Sequence, residues 1–123
     1  MAYRLVGLAG AQIDQILLES ARRWGEERAI RYYYLILAAM SAIAADPERP
    51  GSRPIRGGAG LRVFSLCLAR AMVPREHRVG RPRHSIIYRV ETDGMVAVIG
   101  IAHDRMQLEA TARRMRQASG PDE

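Results

Sequence analysis

The chain has 123 residues, of which 48% are hydrophobic and 26% charged, and these proportions are typical of one globular domain with a single core. Its 19 basic residues are all arginine, and the net charge of +6 favours an acidic partner, either nucleic acid or an acidic protein surface. The single cysteine excludes an internal disulfide, and no apolar stretch reaches the ~20 residues that a membrane span needs. We therefore expect one domain over residues 1–117, a frayed tail over 118–123 and a cytoplasmic location.

The first half of the chain predicts a short strand followed by two helices. Residues 3–6 alternate weakly between polar and apolar side chains, which predicts the strand. From residue 11 the apolar side chains fall on one stripe with helical spacing, until Gly25 marks a C-terminal cap. A second helix is predicted over 26–46, and it is apolar on nearly all sides. Such a helix must be covered on more than one face, either by the rest of the chain or in part by a partner segment.

The second half predicts an antiparallel meander. Residues 46–60 hold too many Pro and Gly residues for regular structure beyond a brief strand at 52–56. Further strands are predicted over 61–68, with Cys67 in a buried position, over 85–90 and over 96–102, with a tight turn at 92–94 and a last helix over 106–117. This order predicts an α+β domain in which the helical hairpin packs on one face of the sheet.

The densest positive charge lies at residues 69–84, where five arginines and two histidines stand against one acid, Glu76. The sequence leaves open whether this segment is an extended hairpin tip or a mobile loop. On the strands, Arg62, Arg89 and Arg105 predict a second arginine-centred surface.

Few residues carry a recognisable chemistry. The three histidines show no spacing that predicts a metal site, and no motif predicts a cofactor. RNA cleavage would need a general base, a general acid and a cation to hold the phosphate charge. His103 could supply proton transfer beside Arg89 and Arg105, although a lone histidine at a strand end is more often structural.

Several short stretches, among them Trp24-Gly25-Glu26-Glu27 and Tyr88-Arg89-Val90, occur in an order that resembles the ParE-type toxins of the RelE/ParE superfamily. The matching stretches are residues 13–14, 21–27, 43–47, 60–64, 88–90 and 103–106. Each stretch alone is common, but their order and spacing are fairly specific and cover nearly the whole chain. The resemblance implies an opening strand, a two-helix hairpin and a curved antiparallel sheet, in agreement with the elements predicted above; the short C-terminal helix completes the predicted fold.

The resemblance also implies a toxin neutralised by a ParD-like antitoxin, which carries a ribbon-helix-helix part and an acidic, amphipathic tail. An apolar helix on a positively charged protein is what such a tail would bind. The expected antitoxin contacts are Trp24, Tyr32, Tyr33, Leu35, Ile36 and Met40. ParE relatives poison DNA gyrase without enzymatic chemistry, and the expected target contacts are Arg62, Arg81, Arg83, Arg89 and Arg105.

Two alternatives to gyrase inhibition stay open. RelE relatives cut messenger RNA on the ribosome, which would make His103, Arg89 and Arg105 a catalytic set. The absence of lysine, and of any tyrosine after Arg105, argues against that role. The other alternative is a simple nucleic-acid-binding module that uses the arginines of residues 69–84.

Overall fold

The computed structural model describes residues 2–120, which form an α+β domain with the predicted order of elements. Its helices are α1 (Ala9–Trp24), α2 (Glu26–Ala45) and α3 (Leu108–Ser119), and its strands are β1 (Tyr3–Leu5), β2 (Arg53–Pro54), β3 (Arg62–Ser65), β4 (His84–Val90) and β5 (Val96–His103). Helix α3 includes Ala118 and Ser119, which were expected in the frayed tail. The last part of that expected tail, residues 121–123, lies outside the described residues.

A single residue separates the two long helices. Gly25 has a φ of 93°, a conformation that glycine adopts without the steric cost of a side chain, and its N–H donates to the carbonyl of Ala21 at the end of α1. Glu26 and Glu27 then occupy the first turn of α2, where negative charge favours the positive end of the helix dipole. The chain therefore reverses direction at once, and α1 packs along α2 as a hairpin.

The five strands form one sheet in the order β1-β5-β4-β3-β2. Strands β2 to β5 pair antiparallel, whereas β1 pairs parallel to β5, with Tyr3 opposite Val96. The predicted antiparallel meander is confirmed, and β1, whose pairing the sequence did not predict, makes the sheet mixed. No tight turn links β1 to β5, so the hairpin geometry that makes the other strands antiparallel does not constrain this pair.

Both faces of the sheet are covered. Alternate residues of β4 point to opposite faces: Ile86 and Tyr88 join a core with α1 and α2, while Ile87 joins a second core with Ala112 and Met115 of α3. All of these side chains are buried. The C-terminal helix therefore packs on the face opposite the helical hairpin, and the domain has three layers.

The basic segment is a folded connection. Strand β3 ends at Ser65, whose hydroxyl accepts a hydrogen bond from the Cys67 N–H and caps a 3-10 helix over Leu66–Met72. The strand predicted over 61–68 is therefore shorter than expected, and Cys67 is exposed, not buried. A second 3-10 turn follows at Arg75–His77. We call residues 66–83 the basic connection.

Two arginines of the basic connection hold it together from within. The Nε of Arg70 donates to the carbonyl of Val79 at 2.8 Å, and the Nε of Arg78 donates to the carbonyl of Val73 at 2.9 Å. Val73 is buried against the core beneath the hairpin. The segment is therefore neither a hairpin tip nor a loose loop.

A side chain completes the edge of β5 where β1 ends. Strand β1 pairs only with residues 96–98 of β5, and farther along this edge the N–H of Ile101 donates to Oε1 of Gln12 at 2.9 Å. We predict that Gln12→Ala lowers the free energy of unfolding by about 1–3 kcal/mol, because it leaves this buried N–H without an acceptor. Chemical denaturation measures the change.

The matched control is Gln15→Ala, which removes an exposed glutamine from the same helix and should change the stability by less than about 0.5 kcal/mol. Equal stabilities of the two variants would show that the hydrogen bond from the Ile101 N–H to Gln12 does not stabilise the edge of β5.

Candidate functional site: a basic groove

A groove with a volume of about 900 Å³ opens between the helical hairpin and the basic connection. Its walls come from the second half of α1, the start of α2, the end of the basic connection and the residues that follow β5. Seven of the lining residues are arginines: Arg23, Arg28, Arg31, Arg78, Arg81, Arg83 and Arg105. We call this site the basic groove.

Positive charge in the groove is only partly compensated. Arg31 pairs with Glu27, outside the lining, at 2.7 Å. Among the lining residues that the structure describes, Glu19 is the only acid, and it pairs with Arg23 at 3.7 Å. Within residues 2–120, the exposed side chains of Arg81, Arg83 and Arg105 make no hydrogen bond or ion pair. A concave surface lined by charges of one sign concentrates its electric field, so the groove attracts anions.

At one end of the groove, Tyr32, His84 and His103 lie in contact. The Tyr32 hydroxyl is 2.5 Å from Nδ1 of His84 and accepts a hydrogen bond from the Arg83 N–H at 3.3 Å. The rings of His84 and His103 pack edge to face, with centroids 5.0 Å apart. Nδ1 of His103 accepts the Arg105 N–H at 3.0 Å, which assigns the proton of the neutral ring to Nε2.

Burial fixes the protonation states of the first two groups. It lowers the pKa of His84 to about 4, an effect that His103 reinforces and Asp104 opposes, and it raises the pKa of Tyr32 to about 12 despite the hydrogen bond from Arg83. At neutral pH the tyrosine is therefore protonated and donates to a neutral His84. The pair is a hydrogen-bonded contact between α2 and β4 without net charge.

The structure brings together only part of the predicted catalytic set. His103 and Arg105 line the basic groove, but Arg89 faces α3 on the other side of the sheet. Its guanidinium donates to Oγ of Ser119 at 3.0 Å and to the carbonyl of Gly120 at 3.2 Å, and it pairs with Glu91 at 3.4 Å. The grouping of Arg89 with His103 was wrong. His103 lies opposite His84 and shares its face of the sheet, whereas Arg89 is an odd number of positions along β4 from His84 and points to the other face.

Arg62, another predicted target contact, is bound internally. Its Nε donates to Oγ of Ser52 at 2.9 Å and its terminal nitrogen to the Ser52 carbonyl at 3.2 Å. Oγ of Ser52 also contacts the hydroxyl of the fully buried Tyr88, which donates to the Pro47 carbonyl. Arg62 therefore anchors the segment after α2 to the sheet, and of the predicted target contacts only Arg81, Arg83 and Arg105 line the groove.

Most of the predicted antitoxin contacts lie in the core. Leu35, Ile36 and Met40 are 1%, 0% and 2% exposed and pack beneath the hairpin, so a partner on the surface does not reach them. Tyr32 is 8% exposed and belongs to the same core, although it also lines the basic groove. Trp24, which is 61% exposed, lines the basic groove. Tyr33 is exposed on the outer side of α2.

Tyr33 belongs to a stripe of apolar side chains that sequence reasoning missed. Ile30, Tyr33 and Tyr34 are 54%, 41% and 55% exposed, and the partly exposed Leu37 continues the row. Their spacing of three and four residues places them on one side of a helix. This spacing was the available signal, but so many apolar residues surround it that it did not stand out. We call these four residues the α2 stripe.

The described residues show neither a metal cluster nor a membrane helix. Within residues 2–120, no three His, Cys, Asp or Glu side chains lie close enough to hold a metal ion. Across the same residues, no helix is both long and apolar enough to cross a bilayer.

The architecture, a strand and helical hairpin on a mixed sheet with a C-terminal helix, is consistent with the ParE/RelE fold. Residues 3–108 match the family described as the ParE toxin of the type II toxin-antitoxin system, parDE. The chain therefore belongs to the ParE toxin family, and it is the toxin of a type II toxin–antitoxin pair with a cognate antitoxin. No curated protein matches it.

We predict that His84 makes the stability depend on pH. Because its pKa is about 4 in the folded state and ordinarily 6.5, the unfolded chain binds more protons between these values. The free energy of unfolding should therefore fall as the pH drops from 6.5 to 4, by on the order of 1–2 kcal/mol after a discount for partial exposure. Denaturation curves across this range measure the slope.

The His84→Gln variant should lose this part of the slope, since its side chain does not titrate. His77→Gln, which replaces an exposed histidine of the basic connection, should keep the slope of the unmodified protein. A His84→Gln protein with an unchanged slope would contradict the assignment.

Proposed function

We propose that this toxin inhibits DNA gyrase in the cytoplasm by binding to it, and that a ParD-like antitoxin neutralises it. The observation that carries the proposal is the match of residues 3–108 to the ParE toxin of the parDE system. The uncompensated arginines of the basic groove support a binding mode, because they offer charged hydrogen-bond donors to an acidic surface. Arg81, Arg83 and Arg105 are the proposed target contacts.

Two of the three proton-transfer groups in the groove, His84 and Tyr32, support binding over catalysis. A general acid or base works best with a pKa near the working pH, whereas burial holds the pKa of His84 at about 4 and that of Tyr32 at about 12. Arg89, which would have held phosphate charge beside His103, is bound to Ser119 and Gly120. The described groove therefore favours a non-enzymatic toxin.

We predict that the purified toxin inhibits supercoiling by gyrase and that Arg105→Gln weakens this inhibition roughly 5- to 30-fold, since interface arginines rank among the costliest residues to truncate. A supercoiling assay over a series of toxin concentrations measures it. The matched control is Arg113→Gln, which removes one exposed arginine from α3 on the opposite face and should leave inhibition unchanged. Full gyrase activity at saturating toxin would refute the proposal.

One observation favours RNA cleavage as a second candidate function. His84 and His103 lie 5.0 Å apart by ring centroid in a groove lined by seven arginines, which is the kind of surface that holds a phosphate charge. A translating extract distinguishes the two functions. Transcript breaks that appear with the toxin and disappear with His103→Ala would establish the nuclease and count against a purely binding mechanism.

The α2 stripe is the proposed docking site for the antitoxin. Its row of exposed apolar side chains at helical spacing fits the apolar face of an amphipathic segment, and the neighbouring arginines of the basic groove fit acidic residues on that segment. This proposal keeps Tyr33 among the expected contacts and adds Ile30, Tyr34 and Leu37.

We predict that Tyr33→Ala weakens antitoxin binding by at least about tenfold, because exposed aromatic residues often anchor protein interfaces. Titration calorimetry with the cognate antitoxin measures the dissociation constant. Val90→Ala is the matched control, since Val90 is 43% exposed compared with 41% for Tyr33 but lies at the end of β4. Equal losses in both variants, or no loss in either, would place the antitoxin elsewhere.

A further inference from the structure

We propose that the basic groove binds a single strand of nucleic acid, with the phosphodiester backbone along the arginines and one base stacked on Trp24. The site shares Arg81, Arg83 and Arg105 with the proposed gyrase contacts, but strand binding is a further activity that does not depend on inhibition of gyrase. The proposal rests on three features of the groove lining: free guanidinium groups, an exposed aromatic ring, and two histidine rings.

Three free guanidinium groups, those of Arg81, Arg83 and Arg105, share the lining of the groove. Arg81 and Arg83 alternate along the extended end of the basic connection, and Arg105 lies just beyond the paired ends of β4 and β5. Within residues 2–120 their side chains have no carboxylate or carbonyl partner, so binding an anion breaks no existing contact. Arginine matches phosphate with two parallel hydrogen bonds.

Trp24 gives the groove a flat surface. The residue is 61% exposed, and the guanidinium carbon of Arg28 lies 5.5 Å from the ring centroid. That contact holds the ring at the rim of the groove, where the exposed indole can stack against a base. Stacking on an aromatic ring tolerates any base, because every base has a flat face, so we expect little sequence preference.

The two histidines add ring N–H donors. Nδ1 of His84 receives the Tyr32 hydroxyl and Nδ1 of His103 receives the Arg105 N–H, so Nε2 is the nitrogen of each ring that is left to donate. Both residues line the groove and are partly exposed. An Nε2–H of either ring can donate to a phosphate oxygen.

An acidic peptide is the competing ligand, and the observations favour the nucleic acid. Both ligands satisfy the arginines, but only the nucleic acid also uses the exposed indole for a stacked base. The apolar face of an amphipathic peptide has a surface of its own in the α2 stripe, which is outside the lining of the groove. The volume of about 900 Å³ is near the upper end of the roughly 300–1,000 Å³ of small-ligand sites, enough for more than a single small anion.

Fluorescence anisotropy of the full-length toxin with labelled single strands, about 12 nucleotides long, tests the proposal. One arm uses DNA, a second uses RNA of the same sequence with its length checked on a gel afterwards, and a third uses a labelled polyglutamate peptide of equal charge. Trp24 is the only tryptophan, so its own fluorescence reports independently whether the ligand reaches the rim.

We expect both strands to bind more tightly than the peptide and to quench Trp24. The Arg81→Gln/Arg83→Gln variant should bind at least about tenfold more weakly. The slope of its log binding constant against log salt concentration should be shallower by about 1.4, which is about 0.7 for each phosphate that the variant no longer neutralises. Trp24→Leu should weaken binding by roughly 5- to 100-fold. If DNA and RNA differ, the tighter one identifies the natural class of strand.

The matched control is Arg56→Gln/Arg113→Gln, which removes the same charge from exposed positions outside the groove and should bind like the unmodified protein. Three results would overturn the proposal: equal weakening in the control, tighter binding of the peptide than of either strand, or strand binding that leaves Trp24 fluorescence unchanged. Because gyrase is absent from the assay, failure here leaves the gyrase proposal standing.

Discussion

The pairing of β4 with β5 is the constraint on which the rest of the molecule depends. Both strands are buried on their two faces, and a register shift between Ile87 and Tyr88 adds one residue to the β5 side. Near the turn, Val90 lies opposite Val96; without the extra residue, His84 would lie opposite residue 102. The bulge instead places His84 opposite His103, and both side chains then face the hairpin. One added residue thus creates the inner end of the basic groove.

The same pairing divides the arginines into structural and available ones. Arg89 is turned toward α3, where it joins Arg4 and the buried Glu91 in an ion-pair network that ties β1, the β4–β5 hairpin and the end of α3 together. Arg62 anchors the segment after α2. Among the remaining arginines, Arg81, Arg83 and Arg105 lie together in the lining of the basic groove. A high net charge therefore does not by itself identify a binding site, since much of it stabilises the fold.

Two surfaces of different character meet along α2. Ile30 and Tyr33 point outward in the α2 stripe, while Arg31 and Tyr32, the residues between them, line the basic groove. Membership of the ParE toxin family implies a cognate antitoxin, and an amphipathic antitoxin segment on the stripe would have its acidic side chains within about one helical turn of the arginines. With the antitoxin on the α2 stripe, as proposed, one segment would shield both surfaces.

The sequence by itself determined the class of fold, the bounds of the helices to within about two residues and the membership of a toxin family, because these depend on local spacing and the order of motifs. It also placed the Thr92–Gly94 turn correctly. The parallel pairing of β1, the early end of β3 at Ser65 and the burial of Leu35 and Ile36 required the tertiary structure. So did the separation of Arg89 from His103. The face on which a side chain lies and the strand with which β1 pairs depend on register and on long-range packing. A local sequence pattern does not encode register or long-range packing.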